Sequence, residues 1–425
     1  LNTVSLLCFF VLCASQTDIA SPAGPTPVPG HSLIVAITGK TLSAEQKALL
    51  AELQPGGVIL LGGNMGTEEQ TRELTFAIKQ AVSGKAGPGE LPLIHIDQEG
   101  GRVNRLKLEN APSAATLGAR GDENRIRETG AFYAREATAR GIEVLLAPVL
   151  DLSSPGDGGV IGDRAFAKDP EHAWLLGSAF AEGVMEGGGL PVVKHFPGHG
   201  GAAEDSHKQL ARLDLEGEAL QVNLTPFKLA VEARLPAIMV GHIACAALNP
   251  EYPDEPASMS HAMVTGLLRE SWGYDGMVIT DDLNMGAVAG DLEAAALKSI
   301  RAGCDAIIIC DSNPELLRRI AKAIEEESKK DPQFQNMLMK SGQRLEDFRS
   351  RIVTNHLPRE TARPEIKDEI VNQKKVILVT HTVRPGDTLS KLATIYGVTS
   401  EAIRNANNKT DDTIRVGDIL KIPDQ

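Results

Sequence analysis

Residues 191–207 read PVVKHFPGHGGAAEDSH. The apolar run Pro191–Val193 reads as the end of a buried strand, and the charged and glycine-rich residues behind it read as a long loop. Loops held on a rigid scaffold are where catalytic groups tend to sit. Asp205 and His207 stand two positions apart, so the carboxylate can accept a hydrogen bond from one imidazole nitrogen and leave the other facing a substrate. That pairing orients the ring and stabilises its cation, as acid/base work requires. Taken alone, the pair also fits a helix cap followed by a surface histidine.

Working outward, the same strand-then-polar pattern recurs. Short apolar runs lie at Leu33–Ile37, Val58–Leu61, Leu93–Ile96, Val144–Ala147, Pro191–Val193, Ala237–Val240, Met277–Ile279 and Ala306–Ile309. Runs that are apolar throughout are what strands buried on both faces look like. Between them lie helical patterns such as Ser43–Leu53, Thr67–Val82, Glu123–Arg140 and Asp169–Glu186, several opened by a capping residue. Eight strands alternating with helices predict a (β/α)8 barrel of the TIM type, with a doubly wound open sheet as the alternative that periodicity leaves open. The run endings favour the barrel: Ile96 is followed by Asp97, Val193 by Lys194 and His195, Val240 by Gly241 and His242, Ile279 by Thr280 and Asp281. Ionisable groups at the C-terminal ends of strands mark the working face of such barrels.

A chain of 425 residues with a formal charge of −13 and a pI near 5.3 argues against nucleic acid and anionic membrane as main partners. Val4–Cys13 is apolar but too short to span a bilayer, and it suits the core of a signal peptide, although no basic segment precedes it. Leu12 fits a lipidation site at Cys13 poorly. The expectation is an exported protein, periplasmic or associated with the cell wall, without a membrane span. The five cysteines form no disulfide framework, since Cys8 and Cys13 lie in the leader and Cys304 and Cys310 flank a strand. Domains are placed at 1–20 (signal peptide), 21–31 (Pro/Gly linker), 32–352 (barrel), 353–378 (linker) and 379–425 (a small α+β unit of order βααβ).

That last unit resembles a LysM module along its full length. The matching residues are His381-Thr382-Val383, Pro385-Gly386-Asp387-Thr388-Leu389, Ile395-Tyr396, Asn405, Asn407, Val416-Gly417 and Leu420–Pro423. The resemblance implies binding to N-acetylglucosamine polymers, chiefly peptidoglycan or chitin. The barrel resembles the family 3 glycoside hydrolases, specifically their single-domain β-N-acetylglucosaminidases, over His31–Ile352. The landmarks are Gly57–Leu60 with Asn64, IDQEGGRVNRL at 96–106, Asp163–Phe166, KHFPGHG at 194–200 with DSH at 205–207, GHI at 241–243, PASMS at 256–260 and ITDDLNMGAV at 279–288.

This second resemblance implies Asp281 as catalytic nucleophile and Asp205 with His207 as the acid/base dyad. It implies Asp97, Arg105, Arg164, Lys194 and His195 as holders of the sugar's hydroxyls. Asp282 stays open as a rival to Asp281, with capping of a following helix as its expected role. Gly201-Ala202 departs from the Asp-Thr common in the family. His195, His199 and His242 could suggest a metal site, but Pro197, Gly198 and Gly200 argue against a helix aligning the first two. No metal or other cofactor is expected. The implied function is an exported retaining exo-β-N-acetylglucosaminidase acting on peptidoglycan-derived or chitin-like glycans. The rivals are another family 3 glycosidase, such as a β-glucosidase or a phosphorylase, and a non-catalytic wall-binding protein.

Overall fold

Each of the eight apolar runs forms a strand, and together they close into a barrel. A computed structural model describes residues 28–84, 91–153, 160–202, 209–288, 290–354, 379–383, 388–396, 399–407, 409, 411–415 and 418–422. The signal-peptide assignment, most of the linker at 353–378 and the dyad Asp205–His207 therefore lie outside the described residues. The barrel strands are β1 (Leu33–Ala36), β2 (Gly57–Leu60), β3 (Leu93–Ile96), β4 (Val144–Leu145), β5 (Leu190–Phe196), β6 (Ala237–Val240), β7 (Met277–Asp282) and β8 (Ala306–Ile309). All neighbours pair in parallel, and β1 bonds both β2 and β8, which closes the ring and excludes the open sheet.

The runs are apolar throughout because both faces of each strand are covered. In β1, Ile34 and Ala36 point into the barrel with Ile59, Leu146, Val192, Met239 and Ile308. Leu33 and Val35 point outward into the layer shared with the helices. Each fully buried Ile, Leu or Val stabilises the fold by roughly 1.5–3 kcal/mol relative to exposure. The helices that supply the outer layer are α1 (Ala44–Leu53), α2 (Glu68–Ser83), α3 (Glu123–Thr138), α4 (Pro170–Glu186), α5 (Gly217–Glu232), α6 (Leu292–Ala302), α7 (Pro314–Lys330) and α8 (Pro332–Thr354). After β6 the helical element is a wide π-type segment, Ala262–Ser271. Ser43 and Thr67 close reciprocal capping boxes with Gln46 and Gln70, and Asp169 caps α4.

Helix α8 seals the N-terminal end of the barrel with Leu345 and Phe348. It is pinned there by Asp305, 2% exposed, which accepts bonds from the Val278 amide, Arg269, Ser341 and Arg344. Both sequence-derived strand ends at the opposite, C-terminal mouth fall short. Strand β5 continues through Lys194–Phe196 and β7 through Thr280–Asp282, each with a register irregularity near its end. Such bulges re-aim side chains at barrel rims.

His95 points into the barrel floor, where burial lowers its pKa from 6.5 to about 4. The folded chain therefore refuses a proton that the unfolded chain takes up as pH falls below 6.5, and stability declines from there down to about 4. Linkage puts the total at roughly 3 kcal/mol. His95→Gln is expected to flatten the slope of unfolding free energy between pH 7 and 5, measured by urea titration. His199 and His242, also lowered by burial, leave a residual slope of the same sign. An unchanged slope counts against this account.

The C-terminal unit is separate, the chain dividing between Ala362 and Arg363. Strand β9 (Val379–Thr382) pairs antiparallel with β10 (Ile419–Ile422), with α9 (Leu389–Tyr396) and α10 (Ser400–Ala406) between them. Its core is Val383, Leu389, Leu392, Ala393, Ile403 and Leu420. Asn407 ties α10 to β10: its amide nitrogen donates to the Ile403 and Lys421 carbonyls and its oxygen accepts from the Lys421 amide.

Candidate active site

The mouth of the barrel gathers charge from four strand ends. Lys194, only 2% exposed, lies two residues before the end of β5, donates to Asp97 after β3 at 2.6 Å and pairs with Glu99 at 2.7 Å. Glu99 also accepts a two-pronged bond from Arg164, at 2.8 Å to Nε and 2.9 Å to the terminal nitrogen. Arg164 in turn lies 3.3 Å from Nε2 of His195. On the other side of that ring, Nδ1 meets buried Asp151 at 2.6 Å. Arg164 can only donate, so Nε2 accepts and the Nδ1 proton faces Asp151. Four of the expected sugar-holding residues, Asp97, Arg164, Lys194 and His195, thus form one connected set.

Charges this deeply placed persist only when paired. Burial raises the Glu99 carboxyl, but Lys194 and Arg164 overcome it and hold the group well below the usual carboxylate range. Burial lowers Lys194, and Asp97 and Glu99 reverse the sign, so its ammonium stays charged. Asp151 follows the same logic, with burial opposed chiefly by His195. Its second oxygen binds the backbone N–H of His199 at 2.6 Å, so one carboxylate fixes both the ring after β5 and the turn beyond it.

Backbone continuity explains why these groups meet. Beyond β4 the chain keeps bonding β5, Lys194 donating to the Pro148 carbonyl and Leu150 to the Lys194 carbonyl, which sets Asp151 beside His195. The turn after β5 is gripped by Asn223 of α5, whose amide donates to the Pro197 and Gly198 carbonyls. Gly198 has φ of +113°, and a Cβ there would stand 2.4 Å from the Asn223 amide. No other residue fits that position. The departure at Gly201-Ala202 also finds its place: Ala202 is buried with Leu213, and a Cβ on Gly201 would press on Leu213 and Leu215 at 2.9 Å.

Asp281 sits half-buried near the end of β7. Its Oδ1 accepts from the Asp282 amide at 2.8 Å. Burial raises its carboxyl, but the His195 and His242 rings, that amide and Lys194 hold it net below the ordinary value. Asp282 differs: burial and the neighbouring Asp281 raise it, and its Oδ1 accepts from the Asn284 and Cys310 amides. It caps no following helix, contrary to the sequence reading. The next helix, α6, is capped by Asp291, and Asp282 instead ties β7 to the end of β8.

Arg105 contributes a buried Nε without a hydrogen-bond partner, an orphan donor that a hydroxyl-rich ligand would satisfy. Sequence reading gave no role to Glu99, Asp151 or Ser258, although the first lies in the quoted stretch IDQEGGRVNRL. The first stands two residues beyond Asp97, and the second ends an apolar run as the assigned residues do. Ser258 lies within the landmark PASMS, where the sequence reading gave it no role.

Residues 30–342 match the family model of the glycosyl hydrolase family 3 N terminal domain, and residues 381–423 match that of the LysM domain. The chain is 36% identical over 302 residues to a beta-hexosaminidase of Alkalilimnicola ehrlichii, covering 68% of this chain and 84% of that one. It is 37% identical over 288 residues to a beta-hexosaminidase of Idiomarina loihiensis, covering 66% and 83% respectively. Among solved structures, a family 3 β-N-acetylglucosaminidase from Paenibacillus sp. str. FPU-7 superposes with a TM-score of 0.71 at 29% identity, covering 83% of this chain and 67% of that one. A β-N-acetylhexosaminidase from Beutenbergia cavernae superposes with a TM-score of 0.69 at 26% identity, covering 76% and 98%.

Proposed function

The chain belongs to family 3 of the glycosyl hydrolases, and from that premise we propose that it is an exported, retaining exo-β-N-acetylglucosaminidase. Its substrates are glycans ending in β-linked N-acetylglucosamine, derived from peptidoglycan or chitin. The observation that carries this reading is Asp281, a half-buried carboxylate held below its ordinary pKa at the end of a barrel strand. A group kept ionised there serves as nucleophile. In the first step a carboxylate oxygen of Asp281 bonds to the anomeric carbon while the glycosidic oxygen leaves with a proton from His207. In the second, water attacks that carbon, gives its proton to His207 and releases Asp281. Asp205 orients the imidazole and stabilises its cation. Asp97, Arg105, Arg164, Lys194 and His195 bind the sugar's hydroxyls, the pairs Lys194–Asp97 and Arg164–Glu99 being preorganised before substrate arrives.

Hydrolysis of 4-nitrophenyl N-acetyl-β-glucosaminide, set beside the 4-nitrophenyl β-glucoside, tests the substrate class. Preference for the glucosaminide supports the reading, and preference for the glucoside overturns it. His207→Ala is expected to impair natural disaccharides at least about 100-fold, and activated aryl glycosides far less, because acid assistance matters most for poor leaving groups. Equal loss on both removes His207 from the acid's role.

The LysM unit supports action on insoluble wall material. Among the described residues no helix is long and apolar enough to cross a membrane, and export rests on the apolar segment Val4–Cys13 together with that unit. Tethering the barrel raises the local concentration of glycan ends. Deleting residues 376–425 is expected to slow release of sugar from insoluble peptidoglycan about tenfold or more, with the soluble aryl glycoside unaffected. Equal effects on both substrates argue against tethering.

A further inference from the structure

His242, after β6, is wholly buried, and so is Ser258. Neither belongs to the sugar-holding set, yet His242 bonds the backbone of Asp282, the residue next to Asp281. Nδ1 of His242 lies 2.7 Å from the Ser258 hydroxyl and Nε2 lies 2.9 Å from the Asp282 carbonyl oxygen. A carbonyl can only accept, so Nε2 carries the proton. Burial disfavours a second proton on the ring, and the Ser258 hydroxyl is placed to donate to Nδ1. The Asp282 carbonyl thus sets the tautomer, and Ser258 anchors the other edge of the ring.

Asp282 is held from several directions. Its carbonyl accepts from His242 and, at 3.1 Å, from the Met285 amide. Its side chain accepts from the Cys310 amide at 2.8 Å and the Asn284 amide at 3.0 Å. Its own amide points back onto Oδ1 of Asp281 at 2.8 Å. The anchors at Cys310 and Asn284 face β8 and the turn, and His242 is the anchor that comes from β6.

We propose that His242 is a positioning residue for the nucleophile, acting through the backbone of Asp282, with Ser258 anchoring its ring. This rests on the reading of Asp281 as nucleophile. Clamping the Asp282 carbonyl fixes the residue whose amide orients the Asp281 carboxylate, so the attacking oxygen waits in line with the anomeric carbon. Misplacing a reacting atom by about 1 Å lowers a rate by about 100-fold.

The test follows formation of the covalent adduct directly. A 5-fluoro N-acetylglucosaminyl fluoride is incubated with the full chain. Attack by Asp281 expels fluoride and leaves the sugar on the carboxylate, read as a gain in intact protein mass. His242→Phe keeps a flat ring and removes the donor. It is expected to label about 10- to 100-fold more slowly than wild type, with KM for the nitrophenyl glycoside little changed. His242→Gln, whose side-chain amide can reach the same carbonyl, is expected to recover most of the rate. Labelling of the Phe variant at the wild-type rate overturns the proposal, as does equal slowing of the Gln and Phe variants when both melt like wild type. If His242→Phe does not fold, Ser258→Ala decides: a severalfold slowing supports the anchoring of the His242 ring, and an unchanged rate overturns the proposal. Peptide mapping of the labelled wild type checks the premise separately, since a label on any residue other than Asp281 overturns the nucleophile assignment itself.

Discussion

Asp281→Asn is expected to lower kcat on 4-nitrophenyl N-acetyl-β-glucosaminide by at least about a thousandfold while leaving the protein folded. An amide of the same shape keeps the Asp282 contact but cannot form the glycosyl ester, and removing a nucleophile is among the largest single losses an active site can suffer. Asp282→Asn serves as the comparison. Its carboxyl is raised rather than lowered and both backbone bonds it accepts go to Oδ1, so asparagine can keep them, and a much smaller loss is expected. Azide separates the roles further. In Asp281→Ala a small anion can enter the vacated space and attack the anomeric carbon from the same face, giving the glycosyl azide of inverted configuration. Activity equal to wild type in Asp281→Asn, or a larger loss in Asp282→Asn, reassigns the nucleophile.

Glu99→Ala has the second largest expected effect, and it acts on stability and binding together. Its carboxylate is the shared counter-ion of Lys194 and Arg164, both nearly enclosed. Removing one member of a buried charge cluster leaves the others uncompensated, at about 3–5 kcal/mol. Urea unfolding at neutral pH measures that loss. The same change frees two side chains expected to hold the sugar, so kcat/KM is expected to fall about 100-fold or more, with Glu99→Gln intermediate. The sign of the pH dependence follows from a depressed carboxyl: the stabilisation is complete above its ordinary value of 4.5 and declines as the pH falls below it. A Glu99→Ala protein as stable as wild type at pH 7 contradicts this view of the cluster.

The sequence alone placed the eight strands and favoured a barrel, because strands buried on both faces carry apolar residues at every position while the helices between them keep their caps. The pairing of β1 with β8 that excludes an open sheet came only from the tertiary structure. It also placed ionisable groups at strand ends, since a polar residue following an apolar run is visible in one dimension. It did not reveal that Lys194, His195, Thr280 and Asp281 still belong to strands. Backbone pairing continues past the apolar run, and charged side chains are tolerated there because they project into a site lined with counter-ions. Only the tertiary structure decided which charges neutralise one another. Glu99 reads as one acid among many until Lys194 and Arg164, arriving from β5 and from the chain after β4, close on it. Asp151 gains its role from β4 and β5 continuing side by side. Asp282 looked like a helix cap because a carboxylate before a turn usually is one, yet its partner is an amide at the end of β8. Pairings across strands depend on which ends the barrel closure brings together, and local spacing carries no trace of that.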